Sequence, residues 1–182
     1  MVLKPLTLLA FVCGSAVATA AQDVPTSPYV GIQGRVIKAL AAEDVAGLFN
    51  GDGMLMALAA ELNGYPGPKH VLELADSLDL SSEQRASAEV IFDRMQAAAR
   101  EIGQRIVRIE QELDSLFATR AIDSDRLIRL TASIASLHGE LRGEHLRAHL
   151  EMTASLSDHQ VMRYQQMRGY GEAGHVHGHV PQ

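Results

Sequence analysis

The sequence has one cysteine, no tryptophan and few other aromatic residues. Its single cysteine is Cys13, and aromatic residues make up 4% of the chain. One thiol cannot close a disulfide within the chain, and a lone thiolate does not make a metal site. Large aromatic side chains anchor thick cores. We therefore expect a thin, elongated domain built from small and aliphatic side chains.

Runs of basic residues and the common catalytic motifs are also missing. The formal net charge is −6, so nucleic acid is not an expected partner. Gly51-Asp52-Gly53 lacks the third glycine of a dinucleotide fingerprint, and no P-loop or Gly-x-Ser-x-Gly occurs. His145-Leu146-Arg147-Ala148-His149 lacks the glutamate that zincins use as a general base. We expect no catalytic residues and a non-enzymatic function.

Long hydrophobic runs are absent as well. The apolar run from Leu6 to Val17 is too short for a membrane span. With Lys4 before it and Ala18-Thr19-Ala20 after it, the run is typical of a secretory signal peptide cleaved near Ala20. We expect export, loss of Cys13 with the signal, and no stable membrane insertion. A lipid anchor at Cys13 and an uncleaved signal are the alternatives.

The remaining composition predicts an all-α fold, because alanine and leucine are abundant and breakers are confined to a few places. Short helices are predicted at 42–48 and 54–62, and a third begins at Pro68 and ends near Ser77. The predicted order is a signal peptide at 1–20, an extended leader at 21–40, a helical domain at 41–170 and a flexible His-rich tail at 171–182.

Two long helices are the clearest elements. The first is predicted from Ser82 to about Thr119, roughly 55 Å long, and the second from Asp123 or Ser124 to about Ser155. Their apolar residues recur at spacings of three and four. Because residues 120–122 alone separate them, we predict a long antiparallel helical hairpin with short flanking helices. Such a hairpin cannot cover its own apolar seam, so short helices or a second copy must pack on it.

A short motif occurs twice, 76 residues apart. The copies are Leu80-Ser81-Ser82-Glu83-Gln84 and Leu156-Ser157-Asp158-His159-Gln160. In each copy the serine can cap a helix by accepting a backbone N–H, while the glutamine reaches back to the cap residue's N–H. The site residues assigned to these predicted capping boxes are Leu80, Ser81, Gln84, Leu156, Ser157 and Gln160.

This duplicated pattern resembles the Leu-Thr-x-x-Gln repeat of the Spy/CpxP family of periplasmic stress proteins, with serine in place of the usual threonine. The resemblance covers roughly residues 68–168. It implies a periplasmic homodimer that forms a curved cradle and binds unfolded envelope proteins without ATP, or binds the periplasmic domain of a sensor kinase. Zinc or copper would modulate this activity. A heavy-metal sensor or metal buffer is the alternative, and a purely structural helical module is a third.

Histidines mark one face of the second long helix. His138, His145, His149 and Met152 fall within a sector of about 60°. Two imidazoles four residues apart can share one metal ion, and a thioether favours copper. We predict a partly exposed zinc or copper site beside the apolar seam. The alternative is a set of polar residues on the rim of a packed seam. Candidates for a completing ligand are Glu110, Glu112, Glu144 and Glu151.

The C-terminal tail carries a second histidine pattern. His175, His177 and His179 alternate with small residues in Gly174-His175-Val176-His177-Gly178-His179. Alternating side chains of an extended segment point to one side, and glycines let them close on an ion. The tail is therefore a separate candidate for zinc, copper or nickel, and the alternative is an inert solvated terminus.

Overall fold

A computed structural model describes residues 26–170. The predicted signal peptide and the tail histidines His175, His177 and His179 lie outside this range. The chain divides into two compact units, Met1–Gly31 and Ile32–Gln182. In the first unit, the described residues form a turn in which the Val30 N–H donates to the Ser27 carbonyl at 3.2 Å.

Helices make up the regular structure of the second unit, and residues 26–170 contain no strand. The all-α class predicted from the sequence is therefore confirmed. A 3-10 turn at Ile32–Gly34 precedes six α-helices. These are α1 (Ala42–Asn50), α2 (Leu58–Glu61), α3 (Pro68–Glu73), α4 (Ser82–Ala118), α5 (Ser124–Ala154) and α6 (Asp158–Met167).

Helices α4 and α5 pack along each other in opposite directions. Arg94 of α4 pairs with Glu151 of α5, and Arg105 further along α4 lies 3.7 Å from Glu140, earlier in α5. Asp123 caps the start of α5 by accepting the Arg126 N–H at 2.8 Å. The turn between the helices closes with Arg120 in the left-handed region at φ 55°.

The short helices cover only one end of this pair. One cluster packs α1 against α4 and α5 through Leu48, Ile106 and Leu141. A second cluster joins α3, α4, α5 and α6 through Val71, Ala88, Met152 and Tyr164. Contact between α1 and α4 is close enough that a Cβ on Gly103 would lie 2.1 Å from the Leu48 carbonyl oxygen.

At the other end of the pair, the segment 37–39 is the part of residues 26–170 that lies beside α4, and much of the apolar surface there stays exposed. Buried positions stop at Val107 on α4 and resume only at Leu137 on α5. Between them lie apolar side chains that are exposed or half-buried, which we name the distal apolar residues. They are Leu113, Leu116, Phe117, Leu127, Ile128, Leu130 and Ile134.

The structure departs from the sequence predictions in the segment before α4. Within the predicted extended leader, Ile37 is buried in the first core cluster, and Lys38 pairs with Asp114 of α4 at 3.0 Å. The predicted helix at 54–62 is reduced to α2, because Met54 and Leu55 take positive φ angles of 41° and 62° that no α-helix allows.

Helix α3 is also shorter than predicted. It stops at Glu73, and a turn leads through Asp79, at φ 51°, into the first motif. Among the described helices, none is long and apolar enough to cross a membrane.

Candidate functional site

The two motifs meet in space through their glutamines. The Gln84 Nε2 donates to the Gln160 Oε1 at 2.9 Å, and the Gln160 Nε2 donates back to the Gln84 Oε1 at 3.0 Å. Each glutamine Oε1 also accepts its own cap residue's N–H, from Ser81 at 3.1 Å and from Ser157 at 2.9 Å. Each serine Oγ accepts its glutamine's N–H, at 3.1 and 3.2 Å. Two capping boxes are thus fused into one hydrogen-bonded joint.

The two glutamine side chains also donate hydrogen bonds to the segments that precede α4 and α6. The Gln84 Nε2 also donates to the Ser155 carbonyl at 2.9 Å, and the Gln160 Nε2 to the Leu78 carbonyl at 3.2 Å. The motif leucines, Leu80 and Leu156, both pack against the second core cluster. The motif therefore fixes the starts of α4 and α6 against each other. This is a structural site, with its polar groups satisfied internally.

A buried carboxylate lies beside this joint. Glu61 of α2 accepts the Tyr164 hydroxyl at 2.6 Å and the Gly67 N–H at 3.2 Å. The Arg168 Nε is 3.5 Å from its Oε1. Burial, followed by the hydrogen bond to Glu61, raises the pKa of Tyr164, so this phenol stays protonated and remains a donor. The carboxylate fixes α2 and the 64–67 loop to α6.

His149 lies on the other side of the same loop. Its Nδ1 is 2.7 Å from the Tyr65 carbonyl oxygen and 3.8 Å from the Glu61 Oε2. A carbonyl only accepts, so the Nδ1 carries the proton and, in the neutral ring, the Nε2 keeps its lone pair. That edge of the ring faces Gly67, where a Cβ would lie 2.9 Å from the Nε2.

His145, one turn earlier, has an unsatisfied nitrogen. The side chain is buried at 3% exposure, and its Nε2 has no hydrogen-bond partner. Burial lowers the pKa of this imidazole, with His149 adding to the effect while Glu144 and Asp52 oppose it. The ring is therefore held neutral. A buried polar atom without a partner costs about 1–3 kcal/mol, which makes His145 a candidate functional residue.

The histidine stripe was predicted to be partly exposed, and this was wrong for three of its four residues, since His138 alone is exposed. His149 is 9% exposed and Met152 is fully buried, because α3 and the 64–67 loop lie over this part of α5. Met152 packs in the second core cluster among Val71 and Tyr164. His138 is exposed and lies about two turns before His145 on the same helix. Only His145 and His149 of the four are brought together.

The candidate completing ligands are placed elsewhere. Glu144 pairs with Arg147, and Glu151 pairs with Arg94. Glu110 lines a cavity near the far end of α4, where burial raises the pKa of its carboxyl. Within the described 26–170 range, no three histidine or carboxylate side chains converge as they stand into a group that holds a metal ion.

Two cavities of similar size accompany these features. One of about 420 Å³ is lined by apolar parts of Ile37, Leu113 and Phe117 beside Lys38 and Asp114. The other, about 410 Å³, lies between the 51–53 turn, the start of α3 and the flanks of α4 and α5. We name the second the histidine cavity; its polar lining consists of Asp52, Lys69, His70, Gln96, His145 and His149.

Sequence reasoning missed Glu61, Asp52 and His70. Glu61 lies among apolar residues of α2 in Leu58-Ala59-Ala60-Glu61-Leu62, and a lone carboxylate in such a setting was the available signal for a buried charge. His70 pairs with Glu73 at 2.8 Å on α3. Comparisons with models of protein families, with curated proteins and with solved structures find no match to this chain.

Proposed function

We propose that this chain is an exported periplasmic protein of the Spy/CpxP type. In this proposal α4 and α5 form the antiparallel hairpin of a homodimeric cradle, and the cradle binds unfolded envelope proteins without ATP or binds the periplasmic domain of a sensor kinase. Zinc or copper modulates the binding. The function is non-catalytic.

The distal apolar residues of the α4–α5 pair carry this proposal. Phe117 is 54% exposed and Ile128 is 65% exposed, and the half-buried Leu113, Leu130 and Ile134 lie near them in the sequence. A group of apolar side chains of this kind is typical of a surface that binds another chain. Charged residues on the same two helices, such as Arg105 and Glu140, can steer unfolded clients toward it.

An aggregation-suppression assay tests client binding. The full chain without its signal segment is mixed with a thermally unfolding client, and light scattering is followed with and without EDTA. We expect suppression to survive EDTA. It should be lost in the double variant Phe117→Ser plus Ile128→Ser, because this variant removes the two most exposed of the distal apolar residues.

A matched control replaces two exposed apolar residues at the covered end. Val90→Ser plus Leu150→Ser removes similar apolar area, since these residues are 65% and 57% exposed. We expect this variant to suppress aggregation like the parent chain. Equal loss in both double variants, or no suppression by the parent, would contradict the proposal. Sedimentation of the parent chain tests the homodimer separately.

A second candidate function is a heavy-metal sensor or metal buffer. The observation that favours it is the pair of buried imidazoles at His145 and His149, one with an Nε2 that has no partner. In this reading ion binding is the function and client binding is absent. Zinc affinity without aggregation suppression would favour it over the first candidate.

A further inference from the structure

The histidine cavity brings together groups that are far apart in the sequence. Asp52 comes from the turn after α1, and His145 and His149 come from α5. All three line the same space of about 410 Å³. Its apolar lining, from Phe92 and Met95 among others, limits the number of hydrogen-bond partners that the polar groups can find inside.

His145 brings an unpartnered ring nitrogen to the wall of this cavity. Its ring is buried at 3% exposure and its Nε2 has no hydrogen-bond partner. A neutral imidazole with a free ring nitrogen is the form that ligates a transition metal. A leucine at position 145 would fill a similar volume and would bury no unsatisfied polar atom.

His149 also has a ring nitrogen, Nε2, that is available to bind a metal ion. Donation of its Nδ1–H to the Tyr65 carbonyl at 2.7 Å fixes the tautomer and leaves the Nε2 as an acceptor. Imidazoles that bind a metal through one nitrogen commonly donate their other ring N–H to a backbone carbonyl. Glycine at position 67 keeps the space beside this nitrogen open, because a Cβ there would approach it to 2.9 Å.

The lining of the cavity carries charges of both signs, from Asp52 and Lys69. Asp52 places a carboxylate on the wall of the same cavity that His145 and His149 line. His70 lies on the same wall but is already paired with Glu73. Two imidazole nitrogens and one carboxylate form a donor set that suits zinc or copper and is poor in the oxygen ligands that calcium requires.

We propose that the histidine cavity binds one zinc or copper ion through the Nε2 atoms of His145 and His149, with the Asp52 carboxylate as the third ligand. Within residues 26–170 the three groups do not yet converge, so binding requires rotation of the Asp52 side chain toward α5. The proposed ligand set excludes His138 and Met152. It deepens the metal-sensing candidate and does not rest on client binding.

Zinc titration by calorimetry tests the site in the full chain without its signal segment. His175, His177 and His179 are first replaced by alanine, which removes the competing tail. We expect one ion per chain. His145→Leu and His149→Asn should each weaken zinc affinity by at least about tenfold. The asparagine side chain can still donate to the Tyr65 carbonyl, so the second variant removes the ligating nitrogen while it keeps that contact.

Two further variants locate the third ligand and control for the helix. Asp52→Asn should also weaken zinc binding, while His138→Ala on the exposed face of α5 should leave it unchanged. Visible absorption of bound Co²⁺ gives a second readout, and its ligand-field bands should change in all three ligand variants. Far-UV circular dichroism checks folding, and His145→Gln replaces His145→Leu if the latter does not fold.

Zinc binding that persists in the His145 and His149 variants would overturn the proposal, as would no binding by the tail-substituted parent. Asp52→Asn with parental affinity would overturn the role of Asp52. None of these results changes the expectation for aggregation suppression in EDTA, so failure of this site and failure of client binding are distinguishable.

Discussion

The side-chain amides of Gln84 and Gln160 form a reciprocal pair, with each Nε2 donating to the other Oε1 at 2.9 and 3.0 Å. The pair joins the start of α4 to the start of α6 although 76 residues separate them. Because each oxygen also belongs to a capping box, loss of one glutamine affects two helix ends.

We predict that Gln84→Ala and Gln160→Ala each lower the free energy of unfolding by about 1–3 kcal/mol, since each leaves part-buried polar groups unsatisfied. The double variant should lose less than the two single losses added together, because one shared joint is removed. Urea unfolding followed by circular dichroism measures these values. Gln111→Ala, on the exposed face of α4, is the control, and strict additivity of the two single losses would contradict the coupling.

Two helical glycines should respond in opposite ways to the same substitution. A Cβ on Gly103 would lie 2.1 Å from the Leu48 carbonyl oxygen, whereas a Cβ on Gly139 would meet nothing within 4 Å. Gly103→Ala should therefore push α1 away from α4 and cost about 1–3 kcal/mol or more. Gly139→Ala should gain about 0.5–1 kcal/mol from helix propensity.

Thermal unfolding of both glycine variants beside the parent chain measures this difference. A melting temperature of Gly103→Ala equal to or above that of the parent chain would contradict the close contact between α1 and α4.

The hydroxyl of Tyr164 should contribute to stability through Glu61. Tyr164→Phe keeps the buried ring and removes the donor that lies 2.6 Å from the carboxylate, so we expect a loss of about 1.5–3 kcal/mol. Tyr65→Phe is a matched control, because Tyr65 contacts His149 through its backbone carbonyl only. Chemical unfolding compares the two, and equal losses would argue against a specific role for the Tyr164–Glu61 contact.

The starts of α3, α4 and α6 were predictable because their signals are local. Ser81 and Ser157 cap α4 and α6, and Pro68 opens α3, as their positions in the sequence indicate. The burial of His145 and Glu61 was not predictable, because it depends on the 64–67 loop and α2 folding over α5 across more than eighty residues of sequence. Periodicity places a side chain on a face of a helix, but it does not say which neighbour covers that face.

Buried His145 should also make stability depend on pH. Burial lowers the pKa of this imidazole below its ordinary value of 6.5, while the neighbouring His149, Glu144 and Asp52 modify the shift. Below about pH 6.5 the unfolded chain takes up a proton that the folded chain does not. The free energy of unfolding should therefore fall as pH drops from 6.5 to the folded pKa, with no further loss from this group at lower pH.

His145→Leu should flatten that part of the profile, and at neutral pH in EDTA it should be neutral or stabilising by up to about 2 kcal/mol, because it removes an unsatisfied buried atom. Urea unfolding at several pH values between 5 and 8 measures both effects. His138→Ala, which changes an exposed histidine of the same helix, should keep the parental slope. If the slope of unfolding free energy against pH is unchanged in His145→Leu, His145 is not the group responsible. If the slope flattens but zinc affinity is unchanged, His145 is buried as described but is not a zinc ligand.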